Sequence, residues 1–412
     1  MIDINLLRED PKKIKKAVAD KQLDPALVET ALKLDEKWRE LVGQVQELRT
    51  QRNEAAKNKD IEKGKEVKVK LQEVEPQLAK IEKETKRALL KLPNLPTDDV
   101  KVGKNDTENE IVRKWGEPTK FDFEPKAFWE LGESLGIIDT ERAAKVSGTR
   151  FFYLKGDGVL LDQAIVAYAL ETLAKEGFTP VIPPVLIKKD MMGAMGYLEN
   201  GGEEDMYVLG EDGLILVGTS EQSIGPMHSG EVLSAKNLPL RYAGYSTCFR
   251  REAGSYGKDT RGSLRVHQFN KVEMFSFTKG EDSDKEHEFL LSLEEKFLQA
   301  LELPYQLIKM CTGDLGSPAA RKYDLEAWFP SEGKYRELTS TSNCTDYQSR
   351  SLNIKYQDGG ETKFVHTLNG TAFSQRPILA ILENFQQKDG SVAIPKVLQK
   401  WMGKEKIEIK NG

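Results

Sequence analysis

Side chains able to do chemistry crowd most densely between Cys248 and Phe275, where the chain reads CFRREAGSYGKDTRGSLRVHQFNKVEMF. Arg250, Arg251 and Glu252 precede a stretch rich in glycine and charge, after which Arg265, His267 and Phe269 lead into an apolar run. That order suits a nucleotide held on an antiparallel hairpin. A planar guanidinium meets a phosphate, a carboxylate accepts from an exocyclic amine, and an aromatic face covers a base. For the Arg-x-Glu tripeptide alone, the ordinary alternative is a surface ion pair of little energetic weight. Three other segments carry polar groups in short compass: Thr219-Ser220-Glu221, Glu337-Leu338-Thr339-Ser340, and HTLNGTAFSQRPILAILENFQ from His366, which contains Asn369, Thr371 and Arg376. Taken singly, these would be a helix cap, the polar end of a strand and a solvated arginine at a helix start. Neither GxGxxG nor GxxxxGK[ST] occurs, so a nucleotide bound here needs another device.

The elements that must position these groups follow from periodicity. After Asp106, runs rich in β-branched and aromatic residues appear at Val181–Ile187, Leu214–Val217 and Val272–Phe277, and helices are expected at Gln163–Glu176 and Asp284–Leu301. Regular βαβ alternation is missing, which favours an α+β domain on an antiparallel sheet. Residues 1–106 read differently. Apolar positions Leu27, Ala31, Leu34, Trp38, Leu41, Val45 and Leu48 alternate steps of four and three, as do Val67, Leu71, Val74, Leu78, Ile81, Thr85, Ala88 and Leu92. Two such seams joined by the polar NKDIEKGKE predict an antiparallel coiled-coil hairpin over about residues 27–91, turning near Gly64, with arms of roughly 40 Å. Pro76 is expected to kink the second arm, and LPNLP at 92–96 to stop it.

Composition narrows the classes. A chain of 412 residues carries a net charge of −5, which argues against nonspecific coating of nucleic acid but leaves room for a local basic surface. Residues 47–70, around the hairpin turn, hold eight Lys or Arg against five Asp or Glu. Cys248, Cys311 and Cys344 are widely spaced and only four histidines are present, so a structural zinc site is not expected and a reducing compartment is. No apolar run is long enough to span a bilayer, and MIDINLLREDPKKIKK lacks a signal-peptide core. The expected location is the cytoplasm.

The Cys248–Phe275 stretch resembles motif 2 of the class II aminoacyl-tRNA synthetases, with wording closest to the seryl-tRNA synthetase family. GFTPVIPP at Gly177–Pro184 is similar to motif 1, and the segment from His366 to motif 3. The resemblance implies an antiparallel-sheet class II catalytic domain over 107–412, preceded by a tRNA-binding domain over 1–106. It places L-serine against Thr219, Ser220 and Glu221, with Glu221 accepting from the α-ammonium and Asn369 completing the amine site. Glu273 and Thr371 would hold the serine hydroxyl. ATP would meet Arg250, Arg251, Glu252, Arg265, Phe269, Glu337, Leu338, Thr339, Ser340 and Arg376, with Arg250 and Arg376 as the catalytic charges. Glu337 and Ser340 are implied as ligands of Mg2+, which prefers oxygen donors.

The activity so implied is ATP-dependent activation of L-serine and transfer to the 3′ end of tRNA(Ser), with tRNA(Sec) as a further acceptor. A homodimer, joined through motif 1, belongs to the same expectation. An alanine in the pocket would strand Glu273 and Thr371 without a partner, at a cost of several kcal/mol. Two rival readings are a paralogue that loads an amino acid onto a carrier protein and a noncatalytic coiled-coil RNA-binding protein. The paired seams and the scarcity of Cys and His speak against the first; Arg250, Glu252, Glu273, Glu337 and Arg376 together speak against the second. The chain departs from the family pattern in three places: Thr371 and Arg376 stand one residue closer, Pro377 follows Arg376, and Ser263 replaces an apolar residue.

Overall fold

The computed structural model describes residues 1–253 and 262–409; the glycine- and charge-rich stretch 254–261 of the motif 2 loop lies outside the described residues. The chain divides into two compact units, Met1–Leu95 and Pro96–Gly412. The first is helical: α1 (Ile4–Glu9), α2 (Pro11–Asp20), α3 (Ala26–Lys57) and α4 (Ile61–Lys91). Helices α3 and α4 pack along each other, and Val45, Val67 and Leu71 form the middle of their seam, with Leu48, Val74 and Leu78 against them. The turn falls at Asn58–Asp60 rather than at Gly64, which sits inside α4. The cause is local. Lys59 takes a left-handed φ of 55°, and the Asp60 carboxylate accepts from Lys63 N at 3.0 Å, capping the helix before glycine is reached. The helix span also continues through Pro76.

In the second unit, eight strands make one sheet: β1 (Glu110–Trp115), β2 (Thr179–Val181), β3 (Leu240–Phe249), β4 (Gln268–Thr278), β5 (Tyr305–Lys309), β6 (Arg321–Phe329), β7 (Lys334–Asn343) and β8 (His366–Phe373). Their spatial order is β1-β5-β6-β7-β8-β4-β3-β2. Every pair is antiparallel except β2 beside β3. The run Val181–Ile187 splits, because Pro183 and Pro184 offer no N–H to a ladder; Leu186–Lys188 joins a separate small sheet with Leu214–Leu216 and Val208–Leu209. Helices α5 (Asp157–Lys175), α6 (Ser283–Ala300) and α7 (Arg376–Asn384) bring Leu161, Ile165, Leu290, Phe297, Ile378 and Ile381 into one core with Val272, Met274, Leu338 and Leu368 of the strands. Strand alternation then decides what faces the other way. On β4, Val272 and Met274 enter that core, so Lys271 and Glu273 point to the opposite face. Among the described residues no helix is long and apolar enough to cross a membrane, and the three cysteines are free and buried.

Two charged residues, Lys21 and Asp35, are buried in the helical unit. Asp35 of α3 is 1% exposed and accepts from Arg8 of α1 at 2.6 and 2.9 Å and from Arg39 at 3.0 Å. Burial raises its pKa, but the two arginines outweigh that and leave it below the ordinary carboxylate value. A carboxylate so depressed contributes stability above the unfolded pKa, near 4, and loses it as pH falls through the lower folded value. Asp35→Ala is expected to loosen α1 from α3 by about 2–3 kcal/mol. Hydrogen exchange at pH 7 checks this: the α1 amides should exchange at least about tenfold faster in the variant, and unchanged rates would show that the pairing holds nothing.

Candidate active site

On the face of the sheet opposite α5, α6 and α7 lies a cleft of about 360 Å³, bordered by residues from β4, β6, β7 and β8 and from the segments before β3 and α7. Its inner end gathers carboxylates. Glu221 opens a short helix, Glu221–Ile224, and is 4% exposed. That helix lies so close to β3 that a Cβ on Gly244 would stand 2.4 Å from Ile224 Cδ1 and 2.6 Å from Ser220 Oγ. Only glycine fits there. Tyr197 donates its hydroxyl to Glu221 Oε1. Burial pushes the Glu221 carboxyl up to about 7; the neighbouring Glu273 charge adds to this, while Lys271, Tyr197 and Arg250 oppose it. Glu273, 1% exposed, receives Lys271 Nζ at 2.6 Å and Thr371 Oγ1 at 3.1 Å, both on Oε2. Asn369 and Cys344 close the same end.

The outer end is dominated by guanidinium groups. Arg250 donates from Nε to Gly218 O at 3.2 Å and stands 5.2 Å from the centre of the Phe269 ring. Glu252, with a left-handed φ of 54°, pairs with Arg265 at 2.6 Å. Arg376, the first residue of α7, donates from Nη1 to Glu337 O at 2.9 Å and lies 3.0 Å from Glu337 Oε2. Pro377 stands in the first turn of α7, where its missing N–H costs nothing. Burial raises the Glu337 pKa, but Arg376, Lys322 and Arg250 overcome it and bring the group to about 2. Arg250 and Arg376 therefore act on one carboxylate in one cleft. Lys322 reaches Asp324 Oδ1 at 3.1 Å, and Asp324 faces Ser340 across the β6–β7 ladder.

Most residues singled out from sequence border this cleft: Thr219, Glu221, Arg250, Glu252, Arg265, Phe269, Glu273, Glu337, Leu338, Thr339, Ser340, Asn369, Thr371 and Arg376. Two do not. Ser220 is fully buried and donates to Gly244 O at 3.1 Å, so it latches the Glu221 turn to β3 instead of meeting a ligand. Arg251 is exposed, and its backbone N donates to Asp205 O at 2.9 Å. Ser263 is 5% exposed and lines the cleft. The pocket's presumed need for a hydroxyl also changes form. Glu273 and Thr371 partner each other and Lys271 before any ligand arrives, so alanine would not strand them. Sequence reasoning passed over Lys271, Tyr197 and Lys322. Lys271 carries a legible signal, since it stands two residues before Glu273 on the same strand face; nothing around Tyr197 singles it out.

Comparison with known proteins agrees with both units. The Seryl-tRNA synthetase N-terminal domain family matches residues 1–96, and the tRNA synthetase class II core domain (G, H, P, S and T) matches 207–385. A Serine--tRNA ligase of Thermobifida fusca is 45% identical over 98% of both chains, and one of Corynebacterium efficiens is 44% identical over 99% of both. Among solved structures, the seryl-tRNA synthetase of Pyrococcus horikoshii complexed with ATP superposes with a TM-score of 0.92 at 39% identity, covering 100% of each chain. The cytoplasmic Serine-tRNA ligase of Naegleria fowleri in complex with AMP gives 0.88 at 36%, covering 100% of this chain and 99% of that one. A class II core behind a helical hairpin, matched along its whole length by such relatives, belongs to the seryl-tRNA synthetase family.

Proposed function

We propose that the cleft activates L-serine with ATP and that the chain transfers the seryl group to tRNA(Ser), with the site residues in the following roles. The observation that carries this is the shared cleft of Arg250 and Arg376, bordered at one end by Glu221, Glu273 and Thr371 and at the other by Phe269 and Glu337. Serine's carboxylate is already ionised, so its attack on the α-phosphate needs no side-chain base. The protein's part is to hold the two reactants in line and to meet developing charge with fixed donors. Arg250 stabilises the α-phosphate, Phe269 covers adenine, and Glu252 with Arg265 frames the base. Glu221 and Asn369 hold the ammonium; Glu273 and Thr371 hold the hydroxyl. Arg376 meets the terminal phosphate at the N-terminus of α7, where the helix dipole favours negative charge.

Glu337 and Ser340 suit Mg2+. Among the described residues no three His, Cys, Asp or Glu cluster as a self-sufficient metal site, and Mg2+ commonly binds through one or two protein oxygens plus substrate phosphates. When bound, the ion would neutralise phosphate charge. Glu337 is 43% exposed and committed to Arg376, so the magnesium complex of ATP offers each of them a replacement partner in one ligand.

The arm is assigned to tRNA. Arg52, Lys57, Lys59 and Lys68 near its turn are exposed and make no ion pair among the described residues, leaving them for phosphates. The domain so assigned spans 1–106, and tRNA(Sec) is a second acceptor on the same grounds. Strand β2 is an edge strand followed by Ile182, 83% exposed, which favours a homodimer across motif 1. The compartment we assign is the cytoplasm.

Three experiments test this reading. Arg250→Ala should lower serine-dependent pyrophosphate exchange by about a hundredfold or more while melting within a few degrees of wild type, the loss expected for one preorganised donor; near-normal exchange would refute the role. Serine's ammonium needs Glu221 ionised, and that group sits near 7. KM for serine should accordingly rise by up to roughly tenfold per unit as pH falls below about 7 and level off above it. A flat KM between pH 6 and 8 would remove Glu221 from the amine site. Deleting residues 27–91 should spare exchange but cut tRNA charging by orders of magnitude, and equal charging by the shortened chain would take tRNA away from the arm.

A further inference from the structure

Behind the cleft, at the centre of α6, lies a carboxyl that the mechanism above does not use. Glu294 is 0% exposed. A 2.9 Å hydrogen bond joins its Oε2 to Thr339 Oγ1, on the segment that borders the nucleotide end. Among the described residues its Oε1 has no hydrogen-bond partner, and it fills the space behind Gly370, where a Cβ would stand 3.0 Å away. The Thr371 backbone, next in sequence to Gly370, acts on the same carboxyl. Among the described residues, Glu294 forms no ion pair with an arginine or lysine, and its side-chain hydrogen-bond partner is Thr339. An orphan oxygen in so dry a place is costly unless the arrangement is held for a purpose or completed when substrates bind.

We propose that Glu294 is a positioning residue for both substrates, its carboxyl bracing Thr339 of the nucleotide wall against Gly370 and Thr371 of the amino-acid wall. The proposal rests on the roles given above to Thr371 and to the 337–340 segment. β7 and β8 are adjacent strands paired from Asn343–Leu368 through Ser342–Asn369 to Thr341–Gly370, where the pairing ends on the cleft side. Thr339 and Thr371 lie beyond the last paired residues, so the ladder does not fix their mutual spacing. Glu294 spans that unpaired end from below. Burial raises its pKa well above the ordinary value, and the Glu273 and Asp324 charges add to the effect against the opposing Thr339 and Thr371 contacts. The bracing group presents one oxygen to Thr339 and the other to the Gly370–Thr371 backbone. Such a group is mimicked by an amide and not by a thioether.

Glu294→Gln and Glu294→Met separate hydrogen bonding from mere filling of volume. In pyrophosphate exchange, the Gln variant should keep the KM values for serine and for ATP within about twofold of wild type. The Met variant should raise both by about fivefold or more, with kcat changed less. Thr339→Val, which removes the other end of the brace, should raise KM for serine although Thr339 lies on the nucleotide wall. Met behaving as wild type would overturn the proposal, since packing alone would then suffice. Gln behaving as badly as Met would overturn it too, because an isosteric hydrogen-bonding group would then not replace the brace. A serine KM unmoved by Thr339→Val would also overturn it. Melting temperatures of all three variants distinguish these outcomes from loss of fold. Failure of the functional reading itself would appear separately, as absence of serine-dependent exchange in the wild-type protein.

Discussion

Opposite charges that neutralise one another inside a half-buried cleft are the condition on which the rest of this structure depends. Carboxylates and cations taken out of water are costly one by one, and several are collected here within one cavity. Each has been given a partner: Glu273 has Lys271, Glu337 has Arg376, Glu252 has Arg265, and Asp324 has Lys322. Glu221 is the exception. Facing Glu273 in a dry pocket, it is held near 7, and among the described residues its direct side-chain partner is the Tyr197 hydroxyl. The group left least compensated is the one assigned to an incoming cation, the ammonium of the amino acid.

This pairing reshapes the account of specificity. A pocket whose polar groups waited unpaired would reject any ligand lacking a hydroxyl by the full desolvation penalty of those groups. Here Glu273 and Thr371 already partner each other and Lys271, so on the proposed roles discrimination would come from exchange, with the hydroxyl replacing part of an existing network. The same holds for phosphate. On the proposed roles, ATP would not enter a field of bare arginines but would displace Glu337 from Arg376, which lowers the gain on binding; the Arg376–Glu337 pair keeps the empty site stable.

Much of this was legible before any coordinates. Steps of four and three located the helical hairpin to within a few residues, because a seam that must be buried along its whole length leaves a periodic record. The turn was misplaced because the capping aspartate, Asp60, and a left-handed lysine, Lys59, outbid the glycine that composition pointed to. Segments carrying Glu221, Glu273, Glu337 and Arg376 were recognisable as words, and the fold brings them to one cleft. What short motifs do not encode is which neighbour faces inward. Ser220 and Arg251 share tripeptides with true cleft residues yet point elsewhere, one into the β3 contact and one to the surface.

The sheet explains why convergence from so many segments is possible. β4, β7 and β8 present alternate side chains to opposite faces, so the apolar half of each strand can anchor on α5, α6 and α7 while the polar half is free to vary its chemistry. Val272 and Met274 hold β4 in place; Lys271 and Glu273, which alternate with them, are thereby aimed to the cleft face. Glu294 breaks that division, since it is a polar group on the apolar side. It lies beneath Thr339 and Gly370, at the end of the β7–β8 ladder whose last pair on this side is Thr341–Gly370, and on the proposed roles that is where the two walls of the cleft would otherwise be least tied to each other.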